Sequence, residues 1–304
     1  MPAPTSAGAV PAATTAVSSA PPRETIVADS APELAAALRN YIGNIVRRAL
    51  TIPGIVSIAV SGGSMVQLLA GVLPTIQNIN WKRVRFFMVD ERMCPHTHSD
   101  SNYGRYVELL PPAFHPFILG VDMVEHAFKS EKNPYDVSRT ALQYELTLKM
   151  QIGPEVIGRL PRFDIVLLGI GPDGHTASIF PNGKLWKLQM ESYSWLMAVE
   201  DSPKPPPKRV TITMPVINQA KNVAFIITGE EKAIVVKGIL DRDVQLPASH
   251  VKPMYGTLKF FLDSGAASKL DPSTVVRAST LINSDTAPNR IPSPPGADVQ
   301  MDVS

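Results

Sequence analysis

The run Phe163-Asp-Ile-Val-Leu-Leu168 passes directly into Gly169-Ile-Gly-Pro-Asp-Gly-His-Thr-Ala-Ser-Ile-Phe-Pro181, and this junction limits the possible folds more than any other stretch. A short apolar run, rich in branched residues and closed by glycine, reads as a buried strand of a parallel sheet. Parallel strands need long crossovers, so helices must alternate with strands along the chain. The glycine-dense turn then stands at the carboxyl end of a strand, where open α/β sheets bind ligands. It carries one carboxylate, Asp173, and one imidazole, His175, two residues apart.

The rest of the chain keeps the same rhythm. Ser30-Ala-Pro-Glu33 has capping-box spacing, and Leu34, Leu38, Tyr41, Ile42, Ile45 and Val46 follow at helical intervals. Strands are expected at 55–60, 84–89, 163–168, 195–199, 210–213, 223–228 and 258–262. Helices are expected at 65–73, 101–110, 138–150 and 230–240. This alternation predicts one α/β domain, a doubly wound and mainly parallel sheet with helices on both faces. Its functional loops should gather along one edge.

Composition narrows the function classes. A net charge of +2 gives no general electrostatic reason to bind nucleic acid or a membrane surface, so any anion site must be local. The single cysteine, Cys94, allows no internal disulfide and suits a reducing compartment. No apolar run approaches the roughly 20 residues that span a bilayer. Residues 1–23 are rich in Ala, Pro, Ser and Thr, and residues 276–304 include Pro288, Pro292, Pro294 and Pro295. Both segments are expected to be disordered, with the folded domain at 24–275. The first segment lacks the features of a secretory or mitochondrial signal, which points to the cytoplasm and leaves a plastid-type or cleaved segment open.

Four loops offer chemistry. Ser61-Gly-Gly-Ser64 lies between a strand and a helix, where glycines admit a ligand close to the backbone and the helix start presents free N–H groups. It is a phosphate cradle in general form or a tight turn; it is neither a Walker sequence nor the dinucleotide fingerprint. Asp90-Glu91-Arg92 follows another strand and reads as a solvated loop or as part of a site. Asp173 and His175 form the third loop. The basic set Lys208, Arg209 and Lys232 is the fourth, and a lysine opening a helix is better placed if an anion binds there. Cys94, His96, His98 and Asp100 match no standard zinc spacing, so no metal site is expected.

Taken together these motifs resemble the glucosamine-6-phosphate isomerase/6-phosphogluconolactonase family, on its lactonase side. The resemblance rests on Ser61-Gly-Gly-Ser64, Asp90-Glu-Arg92 with His98 and Asp100-Ser-Asn102, and the Gly169–Pro181 loop. It extends through Pro205-Pro-Pro-Lys-Arg-Val-Thr-Ile-Thr213, Gly229-Glu-Glu-Lys232 and Leu246-Pro-Ala-Ser249, in the family's order over about residues 30–272. It implies hydrolysis of 6-phospho-D-glucono-1,5-lactone in the oxidative pentose phosphate pathway, without metal or cofactor, on a fold like glucosamine-6-phosphate deaminase. The implied partner is the small sugar-phosphate lactone, not nucleic acid or membrane; oligomeric state is not readable. Cys94 stands where a small apolar residue is more usual, and puts a redox-active thiol near the site.

On that reading His175 is the general base and Asp173 orients it or a sugar hydroxyl, since a free imidazole near pKa 6.5 suits proton transfer at neutral pH. Ser61, Gly62, Gly63 and Ser64 hold the phosphate, with Arg209 and Lys232 as counter-charges. Arg92 steers substrate or stabilises the oxyanion, or else is tied to Asp90 or Glu91. A deaminase would need an acidic residue soon after the histidine, whereas no carboxylate follows His175 until Glu191. A sensor fused to a DNA-binding module is disfavoured, because the first 29 residues contain one basic residue, Arg23, and no helical period.

Overall fold

A computed structural model of the chain describes residues 23–125, 134–152, 160–183, 186–243 and 245–284. The strands are β1 (Arg23–Ala28), β2 (Val56–Val60), β3 (Val84–Met88), β4 (Asp90–Arg92), β5 (Ile118–Leu119), β6 (Ile165–Leu168), β7 (Leu196–Val199), β8 (Arg209–Ile212), β9 (Asn222–Ile227), β10 (Thr257–Asp263) and β11 (Val276–Arg277). The helices are α1 (Ala31–Ala49), α2 (Ser64–Val72), α3 (Asn102–Leu109), α4 (Val137–Ile152), α5 (Trp186–Glu191), α6 (Met214–Gln219), α7 (Ala233–Leu240) and α8 (Ala278–Ser284).

Eight strands form one sheet in the order β11-β1-β10-β9-β6-β2-β3-β5, and every pairing in it is parallel. The apolar runs that suggested buried strands supply its centre: every residue of β2 and β6 is buried. From β2 the chain steps outward to β3 and β5, then returns to β6 on the other side of β2 and continues to β9 and β10. Right-handed crossovers in opposite directions place helices on opposite faces, as the doubly wound reading requires. The reversal between β2 and β6 is the topological switch point, where loops diverge and leave a crevice.

Helix α1 starts as its sequence indicates. Ser30 accepts a hydrogen bond from the Glu33 amide at 3.3 Å, and Glu33 accepts one from the Asp29 amide at 2.7 Å. Such a cap stabilises a helix by about 1 kcal/mol. Leu34, Leu38, Ile42 and Val46 are buried along its inner face.

Three features depart from the sequence reading. The runs at 195–199 and 210–213 do form strands, but as β7 and β8 they join β4 in a separate antiparallel sheet of order β4-β8-β7. Asp90-Glu91-Arg92 is therefore an edge strand and not a solvated loop; Glu91 is fully buried. Folded elements also continue past the expected boundary at 275: β11 pairs with β1, and Ala278 is buried in the core. The remaining terminal expectations, at 1–22 and 285–304, lie outside the described residues.

Candidate active site

The suspected loops converge because 61–64, 90–92, 169–181 and the turn bearing Lys232 follow the carboxyl ends of the neighbouring strands β2, β3, β6 and β9, while Arg209 comes from the start of β8 in the small sheet. They enclose a cleft of about 270 Å³ at the switch point. Ser61, Gly62, Gly63, Ser64, Arg92, His175, Arg209 and Lys232 all line it. Asp173 stands behind His175.

The first wall is the 61–64 turn. Gly63 adopts a φ of +69°, which strains other residues, and a Cβ there would meet nothing within 4 Å, so the backbone faces open space. Helix α2 begins immediately after, and its first amides have no intrahelical acceptors. At Gly62 the constraint is contact: a Cβ would fall 1.7 Å from Asn102 Oδ1. Ser61 places a buried hydroxyl here with no hydrogen-bond partner in the protein, and its carbonyl accepts from the Tyr106 hydroxyl at 2.7 Å.

The third loop is folded tightly around its histidine. His175 Nδ1 lies 2.5 Å from Asp173 Oδ1, and the imidazole stacks on Phe180 with centroids 4.6 Å apart. The Gly171 amide donates to the His175 carbonyl at 2.9 Å, closing the turn from the other side. Burial would raise the Asp173 carboxyl, but hydrogen bonds and charge from His175 and Lys204 outweigh it and hold the group well below the usual carboxylate range. Lys204 Nζ is 3.2 Å from Asp173 Oδ1.

Arg92 and Arg209 are held more firmly than sequence suggests. Arg92 is tied neither to Asp90 nor to Glu91 by its guanidinium: Nη1 donates to the Asp100 carbonyl at 2.9 Å, and buried Nε has no partner in the protein. Only its backbone amide reaches Glu91 Oε1, at 2.8 Å. Arg209 Nε donates to the Pro206 carbonyl at 3.1 Å, and Nη2 to the carbonyls of Lys204 and Pro205, both at 3.0 Å. Burial draws its guanidinium down from its ordinary value; Asp90 offsets this, Arg92 adds to it and Asp100 offsets it again. Lys232 stands on the turn before α7 with its side chain 15% exposed, 4.0 Å from Glu231 Oε1. Lys208 lies outside the cleft lining, 3.7 Å from Glu200.

Behind these groups sits a buried polar scaffold. Glu91 accepts from the amides of Asn102 and Tyr103 at 2.8 Å and from the Ser101 hydroxyl at 3.2 Å, so it organises the start of α3. Burial pushes its carboxyl upward, against the backbone donors of Tyr103, Asn102 and Arg92. Asn102 Nδ2 donates to the Asp90 carbonyl at 2.8 Å, and Ser178 Oγ donates to Asp90 Oδ2 at 2.7 Å. Cys94 is buried and its thiol is pushed up to about 11, first by burial and then by Glu91 and Asp100, with Arg92 opposing. Burial and the two neighbouring carboxylates thus disfavour its thiolate. Among the described residues no cluster of three or more His, Cys, Asp or Glu is placed to hold a metal.

The sequence reading missed Lys204 as part of this site, and it quoted Asp90 and Asn102 as motif residues without giving either a role. For Lys204 the available signal was the stiff Pro205-Pro206-Pro207 run beside it.

The profile of the glucosamine-6-phosphate isomerases/6-phosphogluconolactonase family matches residues 29–260. The chain belongs to this family. Its relatives in the family include a putative 6-phosphogluconolactonase of Caenorhabditis elegans, 42% identical over 78% of this chain and 84% of that one. A probable 6-phosphogluconolactonase of Drosophila melanogaster is 38% identical over 80% of this chain and 93% of its own. Among solved family structures, 6-phosphogluconolactonase from Trypanosoma brucei superposes with a TM-score of 0.67 at 31% identity, covering 83% of this chain and 100% of that one. A monomeric glucosamine-6-phosphate deaminase shares the fold, with a TM-score of 0.59 at 17% identity. Among the described residues no helix is long and apolar enough to cross a membrane.

Proposed function

We propose that the chain is a 6-phosphogluconolactonase, hydrolysing 6-phospho-D-glucono-1,5-lactone to 6-phospho-D-gluconate in the oxidative pentose phosphate pathway of the cytoplasm. It is thereby a carboxylic ester hydrolase. The observation that carries the reading is the Asp173–His175 pair at 2.5 Å on one wall of a cleft whose other walls hold a glycine turn, a helix start and Lys232.

The substrate has a phosphate dianion at one end and an electrophilic ester carbonyl at the other. The phosphate is taken by the backbone of Gly62 and Gly63, the hydroxyls of Ser61 and Ser64, and the first amides of α2, where a helix dipole favours an anion. Lys232 supplies a movable counter-charge. Arg209 contributes as a fixed cation, because three of its hydrogen bonds are already committed to carbonyls. Arg92 lines the cleft, and its guanidinium is suited to the oxyanion that develops on the carbonyl.

His175 takes a proton from water as the water oxygen bonds to the carbonyl carbon. The tetrahedral intermediate then collapses with cleavage of the bond to the ring oxygen, and the imidazolium returns the proton to that oxygen. Asp173 fixes the ring and stabilises the cation between these steps. The reading calls on no cofactor.

The test is hydrolysis of lactone generated in situ from glucose 6-phosphate, counted above its spontaneous opening. General-base catalysis contributes about 10²–10⁴-fold, so His175→Ala should lower kcat by that factor with little change in KM. Lys232→Ala should mainly raise KM. Full kcat in His175→Ala would discard the assigned base.

A further inference from the structure

The proton on His175 can be placed by elimination. Nδ1 and Asp173 Oδ1 are 2.5 Å apart, too close for two lone pairs to face each other, and the carboxyl is held ionised. The hydrogen therefore sits on Nδ1, and Nε2 is the free base. Lys204 Nζ reaches the same oxygen at 3.2 Å and lies 3.4 Å from Nδ1 itself. Because Nδ1 is already donating, that second contact sets one donor against another. It is tolerable beside a neutral ring and unfavourable beside an imidazolium.

We infer that Lys204 is a positioning residue for the hydrolysis, one that locks the Nδ1–H tautomer of His175 through Asp173 and sets its own positive charge against one on the ring. The inference rests on the assignment of His175 as base. The Lys204 ammonium binds the same carboxylate oxygen and, 3.4 Å from Nδ1, opposes the attraction of Asp173 for a charged ring. After water has given up its proton, the same ammonium makes the imidazolium a stronger acid toward the leaving ring oxygen.

The fold fixes Lys204 with unusual thoroughness for a residue in a loop. Its amide donates to Ser202 Oγ at 3.2 Å, and its carbonyl accepts from Ser202 Oγ at 2.9 Å and from Arg209 Nη2 at 3.0 Å. Arg209 then holds the next two carbonyls as well. The buried guanidinium thus aims the lysine as well as charging the cleft. Other charged groups near the imidazole are Arg92, Arg209, Lys232 and Asp90 of the cleft lining. They are common to parent and variant, so a difference between the two reports Lys204.

The experiment is the pH dependence of kcat/KM for lactone hydrolysis in Lys204→Met, Lys204→Gln and Lys204→Arg, at fixed ionic strength and with spontaneous opening subtracted. Even with water-like screening, a unit charge 3.4 Å away shifts a titration by about one pH unit. The acidic limb should therefore move up by about one unit in the Met and Gln variants and stay near its parental position in Arg. The imidazole of His175, followed by NMR in the free protein, should move by the same amount. A purely structural lysine would lower the plateau in all variants and leave the limb in place, which overturns the inference. If the limb is unmoved while His175→Ala is inactive, Lys204 is dismissed and the base survives. An active His175→Ala removes both.

Discussion

Gly171 gives the sharpest test of how the histidine is held. A Cβ at this position would lie 2.1 Å from both Cε1 and Nδ1 of His175, and 2.5 Å from Asp173 Oδ1. Gly171 is not among the residues with positive φ, so alanine incurs no left-handed strain there. The new methyl group acts on the imidazole and on the Asp173 carboxylate that holds it. Ordinary van der Waals contact begins at 3.4 Å, so the ring has to retreat by more than an ångström and disturb its stacking on Phe180. That movement breaks the hydrogen bond to Asp173, which as a bond to a charged group contributes about 1.5–3 kcal/mol. Misplacing a reacting group by 1 Å costs about 10²-fold in rate, and loss of the base altogether sets the ceiling at about 10⁴-fold. Gly171→Ala should therefore show kcat lowered by at least about 10²-fold with KM close to parental, and a thermal midpoint lowered by about 3–12 °C for the lost hydrogen bond. The assay is the coupled lactonase reaction, with His175→Ala alongside. A Gly171→Ala enzyme with parental kcat and a parental fold would refute the argument that a fixed imidazole carries the reaction.

Two further outcomes are expected. At Gly62, alanine would press Asn102 away from the Asp90 carbonyl, and leaving that buried carbonyl unpaired should lower unfolding free energy by about 1–3 kcal/mol in urea titrations; an unchanged midpoint would mean that Asn102 moves without losing its bond. Asp173 is depressed in the folded protein, against burial, by His175 and Lys204, so its contribution to stability is complete above the unfolded carboxylate value near 3.9 and is lost as pH falls through the folded value. Asp173→Asn should accordingly lose less thermal stability than the parent on acidification below about pH 4, and parallel melting curves would dispose of the linkage.

Much of the site was legible because its parts are local. A buried run followed by Gly169–Pro181 specifies a strand end, a turn and two chemical groups within one segment. The small sheet was not legible, since β4 has three residues and gains its identity only by pairing with β8 more than a hundred residues later. The burial of Glu91 follows from that pairing; charge at three successive positions otherwise reads as solvent-facing. Lys204 escaped for a related reason. Its role depends on Arg209 turning the proline loop back onto Asp173, and nothing in the order Ser-Pro-Lys-Pro specifies where that loop points. The edge at β11 was missed because a two-residue strand has no pattern to detect.

Glu24 and Lys259, separated by 235 residues, meet across β1 and β10 in the interior of the sheet. A chain made from its amino end therefore carries Ile26 and Val27 without their neighbours until β10 has emerged. The strands β2, β3, β5 and β6 can associate before then, bringing the 61–64 turn and the histidine loop together. Lys232 arrives only with β9, which joins the sheet beside β6. On the proposed function, catalytic competence is thus gained only after β9 has been made, and β1 is, among the described strands, the one exposed longest to pairing with another chain.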